Sequence, residues 1–102
     1  MRVIALRTLR EYGERKPEAS AALSSWYHET VAAEWKTPAD IKEKYRSASI
    51  LKNGRVVFNI SGNKYRLIVG INYVLGIVFI KFIGTHAEYD KIDAEKVQHG
   101  KG

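Results

Sequence analysis

From Tyr65 to Tyr73 every second residue is apolar: Tyr65, Leu67, Val69, Ile71 and Tyr73. Side chains alternate between the two faces of a strand, so this run makes one unbroken apolar face. Such a face has to be covered, and the cover lies upstream. Between Glu18 and Trp35 the residues Ala19, Leu23, Trp26, Thr30 and Ala33 repeat with 4-3-4-3 spacing, which is one continuous stripe along a helix. The period is helical before Ser47 and twofold after it. That order predicts an α+β fold in which N-terminal helices pack on one face of a small antiparallel sheet.

The other elements follow from local signals. Val3 to Ala5 reads as a short edge strand, and Leu6 to Arg15 as a helix ended by Gly13 and Pro17. Thr37 can cap a third helix over 38–46, with Pro38 at its first position and Asp40 near the positive end of its dipole. Val56 to Ile60 is a strand, Ser61-Gly62-Asn63 a turn, Lys64 to Val74 a second strand and Ile77 to Gly84 a third. Thr85 and Glu88 have capping-box spacing, which predicts a short helical turn over 86–92. The polar tail 95–102 is expected to fray. With 102 residues, the chain is expected to form a single domain over 1–102.

Composition narrows the chemistry. There is no cysteine, which removes thiolate catalysis, cysteine-ligated metals and disulfides. The three scattered histidines argue against a metal site, so no metal and no cofactor is expected. His28, inside the amphipathic helix, reads as a surface residue. The start of the chain lacks the apolar core of a secretory signal. The longest apolar stretch, Val74 to Ile80, is far short of a membrane span of about 20 residues. A cytoplasmic protein without membrane attachment is the expectation.

Charge is distributed unevenly. The chain carries +6 overall, yet between Lys44 and Ala87 it has seven lysines and arginines and no carboxylate. A one-signed stretch of this kind suits a polyanion. On the strand from Lys64, the face opposite the apolar one carries Lys64, Arg66, Ile68, Gly70 and Asn72. A two-residue turn at Leu75-Gly76 would set Arg66 opposite Thr85 and Gly70 opposite Lys81, adding Lys81 to that face; a three-residue loop would break this register. The third strand is apolar on both sides, which places it in the middle of the sheet or leaves one side for a partner to cover. Gly70 and Gly84 mark either twist points or places where a ligand approaches the backbone.

His86 opens the last helical turn, with Tyr89 and Asp90 three and four residues on and therefore beside it. Cleaving RNA without a metal requires a base for the 2′-hydroxyl, an acid for the leaving 5′-oxygen and positive charge at the phosphate. His86 or Tyr89 can supply the first two, and Arg66 with Lys64 or Lys81 the third. On spacing alone, His86 as a plain helix residue and Tyr89 as a core anchor explain the pattern equally well.

The run Val57-Phe58-Asn59-Ile60-Ser61-Gly62-Asn63-Lys64-Tyr65-Arg66-Leu67-Ile68, followed by Thr85-His86-Ala87-Glu88-Tyr89-Asp90-Lys91, resembles the HigB family of type II toxins. The resemblance extends over nearly the whole chain. It implies a RelE-like fold and metal-independent endoribonuclease (mRNA interferase) activity on mRNA, on the translating ribosome. It also implies restraint by a HigA-type antitoxin encoded by an adjacent gene. Carried over onto matching positions, the catalytic candidates are Lys64, Arg66, His86 and Tyr89. The RNA-binding candidates are Asn63, Lys64 and Arg66, to which the charge pattern adds Lys81. The competing class is a non-catalytic RNA-binding or partner-binding module that uses the same basic face.

Overall fold

The computed structural model describes residues 1–98. Strand β1 (Arg2–Ile4) leads into helices α1 (Leu6–Arg15), α2 (Pro17–Ala32) and α3 (Pro38–Lys44). Strands β2 (Ser49–Ile50), β3 (Arg55–Ile60), β4 (Tyr65–Asn72) and β5 (Ile77–Thr85) follow, and α4 (His86–Tyr89) closes the order. The sheet runs β1-β5-β4-β3-β2. Its three long strands form the expected antiparallel meander. β1 joins the outer edge of β5 in parallel, so the sheet is mixed rather than purely antiparallel. The architecture is α+β, as the order of periodicities predicted.

Each helix end has a local cause. α2 starts on Pro17, whose missing N–H costs nothing at that position. α3 begins with a reciprocal cap: Thr37 N–H donates to Asp40 Oδ2 at 3.1 Å, and Asp40 N–H donates back to Thr37 Oγ1 at 3.4 Å. α2 stops at Ala32 and α3 at Lys44, both short of their expected ends. The two-residue β2 and the 3-10 turn Lys52–Gly54 were not expected from the sequence.

Tyr65, Leu67, Val69 and Ile71 all face the helices and are buried. Phe58 anchors this layer, edge-on to Trp26 at 5.4 Å and Tyr45 at 5.0 Å, and stacked on Trp35 at 6.0 Å. Aromatic contacts of this kind add to the stabilisation from buried area.

The opposite face is also covered. Ile68 is 0% exposed and Val57 3% although both point away from the helices. Three side chains from this face reach the chain's own C-terminal segment. Arg55 Nη1 donates to the carbonyls of Ala94 (3.0 Å) and Val97 (2.5 Å). Lys81 Nζ donates to Gln98 Oε1 at 3.2 Å, and the Arg66 guanidinium lies 5.9 Å from the centre of the Tyr89 ring. β5 is thus flanked by β1 and β4; on its second side Phe79 and Phe82 stay partly exposed. Of the tail expected to fray, Val97 and Gln98 make these contacts, while 99–102 lie outside the described residues. Among the described residues no helix is long and apolar enough to cross a membrane.

One expectation about register is corrected. Asn72 pairs with Ile77, so the connection 73–76 has four residues rather than two or three. Asn72 closes it by accepting Gly76 N–H on its carbonyl (2.9 Å) and Leu75 N–H on Oδ1 (2.9 Å). Gly76 takes the left-handed φ of 69° that a side chain would resist. Gly70 consequently stands opposite Phe79 instead of Lys81, and a register shift between Ile68 and Val69 then sets Arg66 opposite Gly84 instead of Thr85. Ile68 pairs with Phe82 and Val69 with Ile80, which leaves Lys81 as the extra residue of a β-bulge.

Candidate functional site

The site lies at the end of the sheet where the β3–β4 turn meets the start of α4. The turn carries Asn63 and Lys64, both exposed. β4 carries Arg66 on the face away from the helices, half-buried. Its Nη1 donates to the carbonyl of Asn63 at 3.1 Å, which draws the guanidinium back toward the turn. Tyr89 lies beside it, close enough for a cation–π contact.

α4 is fixed here by three backbone-directed contacts. Thr85 N–H donates to Glu88 Oε1 at 2.7 Å, and Glu88 N–H donates to Thr85 Oγ1 at 3.1 Å, the capping box that the spacing predicted. His86 N–H donates to the Lys64 carbonyl at 3.1 Å, which ties the start of α4 to the turn. A helix of four residues would not persist alone; these contacts hold it against the sheet. Gly84 makes the approach feasible, since a Cβ there would lie 2.6 Å from the Phe82 ring and 2.9 Å from Glu88 Oε1. The space at Gly84 is therefore filled by the chain's own side chains. At Gly70 it is filled by the Lys81 stem, whose Cε would be 3.2 Å from an added Cβ.

His86 Nδ1 lies 3.1 Å from Asp90 Oδ2, with the two side chains 52% and 59% exposed. At that exposure the contact contributes little to stability. Its consequence is to orient the ring. Nearby, the Tyr65 hydroxyl donates to Glu18 Oε1 at 3.1 Å. The Glu18 carboxyl is held below its ordinary value, first by its own backbone N–H and then by Tyr65, with Lys16 and Lys64 as smaller attractions. Burial, followed by this carboxylate, pushes the Tyr65 phenol up.

Asn63, Lys64, Arg66, His86 and Tyr89 are thus gathered at one end of the sheet. Lys81 is not among them. The bulge directs its side chain across Gly70 onto the same face as Arg66, but four residues further along β4, about 13 Å away at strand spacing. There it contacts the Phe79 ring at 5.5 Å and Gln98. Arg55 was missed in the sequence. It is 6% exposed and bound to two carbonyls that lie 39 and 42 residues along the chain. The single available signal was its place in the carboxylate-free stretch.

Residues 19–92 match the family model of HigB_toxin, described as the RelE-like toxic component of a toxin–antitoxin system. A protein of Escherichia coli O6:H1 named mRNA interferase HigB is 31% identical over 94 residues, covering 90% of this chain and 91% of that one. The protein of Escherichia coli K12 named mRNA interferase toxin HigB is 25% identical over 103 residues, covering 99% of each.

Proposed function

The chain belongs to the HigB family of RelE-like toxins, and from that premise we propose that it is an endoribonuclease that cleaves mRNA on the translating ribosome without a metal. In this reading it acts as one RelE-like domain over residues 1–102 in the cytoplasm. A HigA-type antitoxin encoded by the adjacent gene restrains it. Its relatives' name, mRNA interferase, supports the reaction class.

The observation that carries the reading is the meeting of Arg66, Tyr89 and His86 at the sheet's end. Arg66 can grip the scissile phosphate through two parallel N–H donors. Negative charge builds on the non-bridging oxygens as the 2′-oxygen attacks, so this grip tightens toward the transition state. His86 and Tyr89 divide the proton transfers, one as base and one as acid. Asn63 and Lys64 on the turn, and Lys81 further along the same face, attract the flanking phosphates.

The test is induction in a bacterial host with and without the neighbouring gene, followed by mapping of transcript 5′ ends. New 5′ ends within translated regions, suppressed by the neighbour, are expected. Growth arrest without new ends would leave the basic face as a binding surface and overturn the enzymatic reading.

A further inference from the structure

We propose that Asp90 is a positioning residue that fixes the ring of His86 so that Nε2 is the general base of RNA cleavage. This rests on the endoribonuclease reading above. An ionised carboxylate only accepts hydrogen bonds. With Asp90 Oδ2 at 3.1 Å from Nδ1, the hydrogen of the neutral imidazole resides on Nδ1, and the lone pair on Nε2 is bare. Asp90 is itself placed by the helical turn, since its N–H donates to the His86 carbonyl at 3.0 Å. The His86 N–H bond to the Lys64 carbonyl fixes the other end of the same turn beside Arg66.

The balanced step follows. Nε2 removes the proton of the 2′-hydroxyl as the 2′-oxygen forms its bond to phosphorus. The bond from phosphorus to the 5′-oxygen breaks, and its electron pair stays on that oxygen. The 5′-oxygen takes a proton from the Tyr89 phenol, beside the Arg66 guanidinium. The products are a 2′,3′-cyclic phosphate and a 5′-hydroxyl, and solvent exchange restores His86 and Tyr89. The imidazolium formed in this step faces a carboxylate that gains nothing comparable from the neutral ring, so the help is specific to the reaction.

The experiment pairs transcript cleavage by the full chain with ¹⁵N NMR of the His86 ring in its neutral form. Wild-type protein is expected to show Nδ1 as the protonated nitrogen. Asp90→Asn should lose that bias and cleave roughly ten- to a hundredfold more slowly, less than the 10²–10⁴-fold expected for removing the base itself. Asp90→Glu, which keeps an acceptor-only carboxylate where Asn could also donate, should recover part of both. A wild-type ring protonated on Nε2 overturns the proposal. So does an Asp90→Asn protein that cleaves at the wild-type rate while wild-type protein is active; that result leaves the endoribonuclease reading standing. Intact transcripts with wild-type protein would instead sink the reading itself, even with the Nδ1 tautomer observed.

Discussion

Leu67 and Arg66 are adjacent in β4 and meet opposite surroundings. Leu67 is 0% exposed in a layer of aromatic and aliphatic side chains under the helices. Arg66 is half-buried among a backbone carbonyl, a phenol ring and the start of α4. The helix side is continuous apolar packing. The other side is shared between a small apolar patch at Val57 and Ile68 and a row of cations, Arg55, Arg66 and Lys81. The C-terminal segment covers part of that row and leaves Arg66 at the open end. One strand thus gives its odd residues to the core under the helices, and its even ones include both the buried Ile68 and the half-buried Arg66. A protein of this size can afford little redundancy on either face, since its total stability is of the order of 5–15 kcal/mol.

The contrast breaks most visibly on the helix side. Phe58→Ala removes a ring that touches Trp26, Trp35 and Tyr45 and leaves a cavity. A loss of about 3–5 kcal/mol is expected, read from denaturant unfolding; activity should fall only as the folded fraction falls. A smaller loss, with the helices still packed, would mean that the layer can collapse around the gap.

On the other side, Arg66→Ala should reverse the pattern. It opens no apolar cavity, so melting should change little, while cleavage should fall by about 10²–10³, the usual cost of one preorganised donor. Its loss should also lower the salt slope of RNA binding by about 0.7, one phosphate on a single strand. Transcript mapping, melting and a salt titration check the three parts. Full activity in a folded variant would remove Arg66 from the site. Unfolding would mean that the cationic face also carries the fold.

What the sequence disclosed divides along the same line. The alternation from Tyr65 and the spacing Thr85–Glu88 are signals within one element; the first appears as far as Ile71, with Tyr73 in the connection, and the second gives the capping box of a helix that ends at Tyr89, short of the expected 92. The side on which Arg66 stands follows from the strand's twofold period alone. Its partner did not, because register depends on loop length and on bulges: Leu75-Gly76 proved to be half of a four-residue connection, and the shift between Ile68 and Val69 moved the pairing back by one residue. Lys81 required a bulge that no local pattern marks. β1 pairs in parallel with a strand more than seventy residues away, a contact without a turn signature. Arg55 is held by backbone carbonyls, which are the same whatever residues carry them.

Thr85 stands where the two sides meet, as the last residue of β5 and the cap of α4. Thr85→Ala removes the acceptor for Glu88 N–H and should cost about 1 kcal/mol, the typical value for a lost N-cap. Because the cap also fixes the turn that carries His86, cleavage should fall as well, by less than in Arg66→Ala. Thr85→Ser, which keeps the hydroxyl, should restore both. A variant destabilised to this extent but fully active would separate the cap from the site.

The smallest effect concerns Tyr65, which faces the helices yet forms a polar tie to α2. Its hydroxyl donates to Glu18 Oε1, and this bond is the second cause, after the residue's own backbone N–H, of the depressed Glu18 carboxyl. A group whose pKa is lower folded than unfolded favours the folded state above its unfolded value, 4.5 for this carboxyl, and loses that contribution as pH falls through the folded value. In Tyr65→Phe the donor is gone and the Glu18 carboxyl should move back toward 4.5. The variant should therefore be slightly less stable than wild type at neutral pH, and the difference should shrink only as pH drops below about 4.5. Glu18 is exposed, so salt should weaken the effect further. Unfolding curves of both proteins from neutral to acid pH measure it. A difference that stays constant with pH would assign the Tyr65 hydroxyl a packing role on the helix side and no electrostatic one.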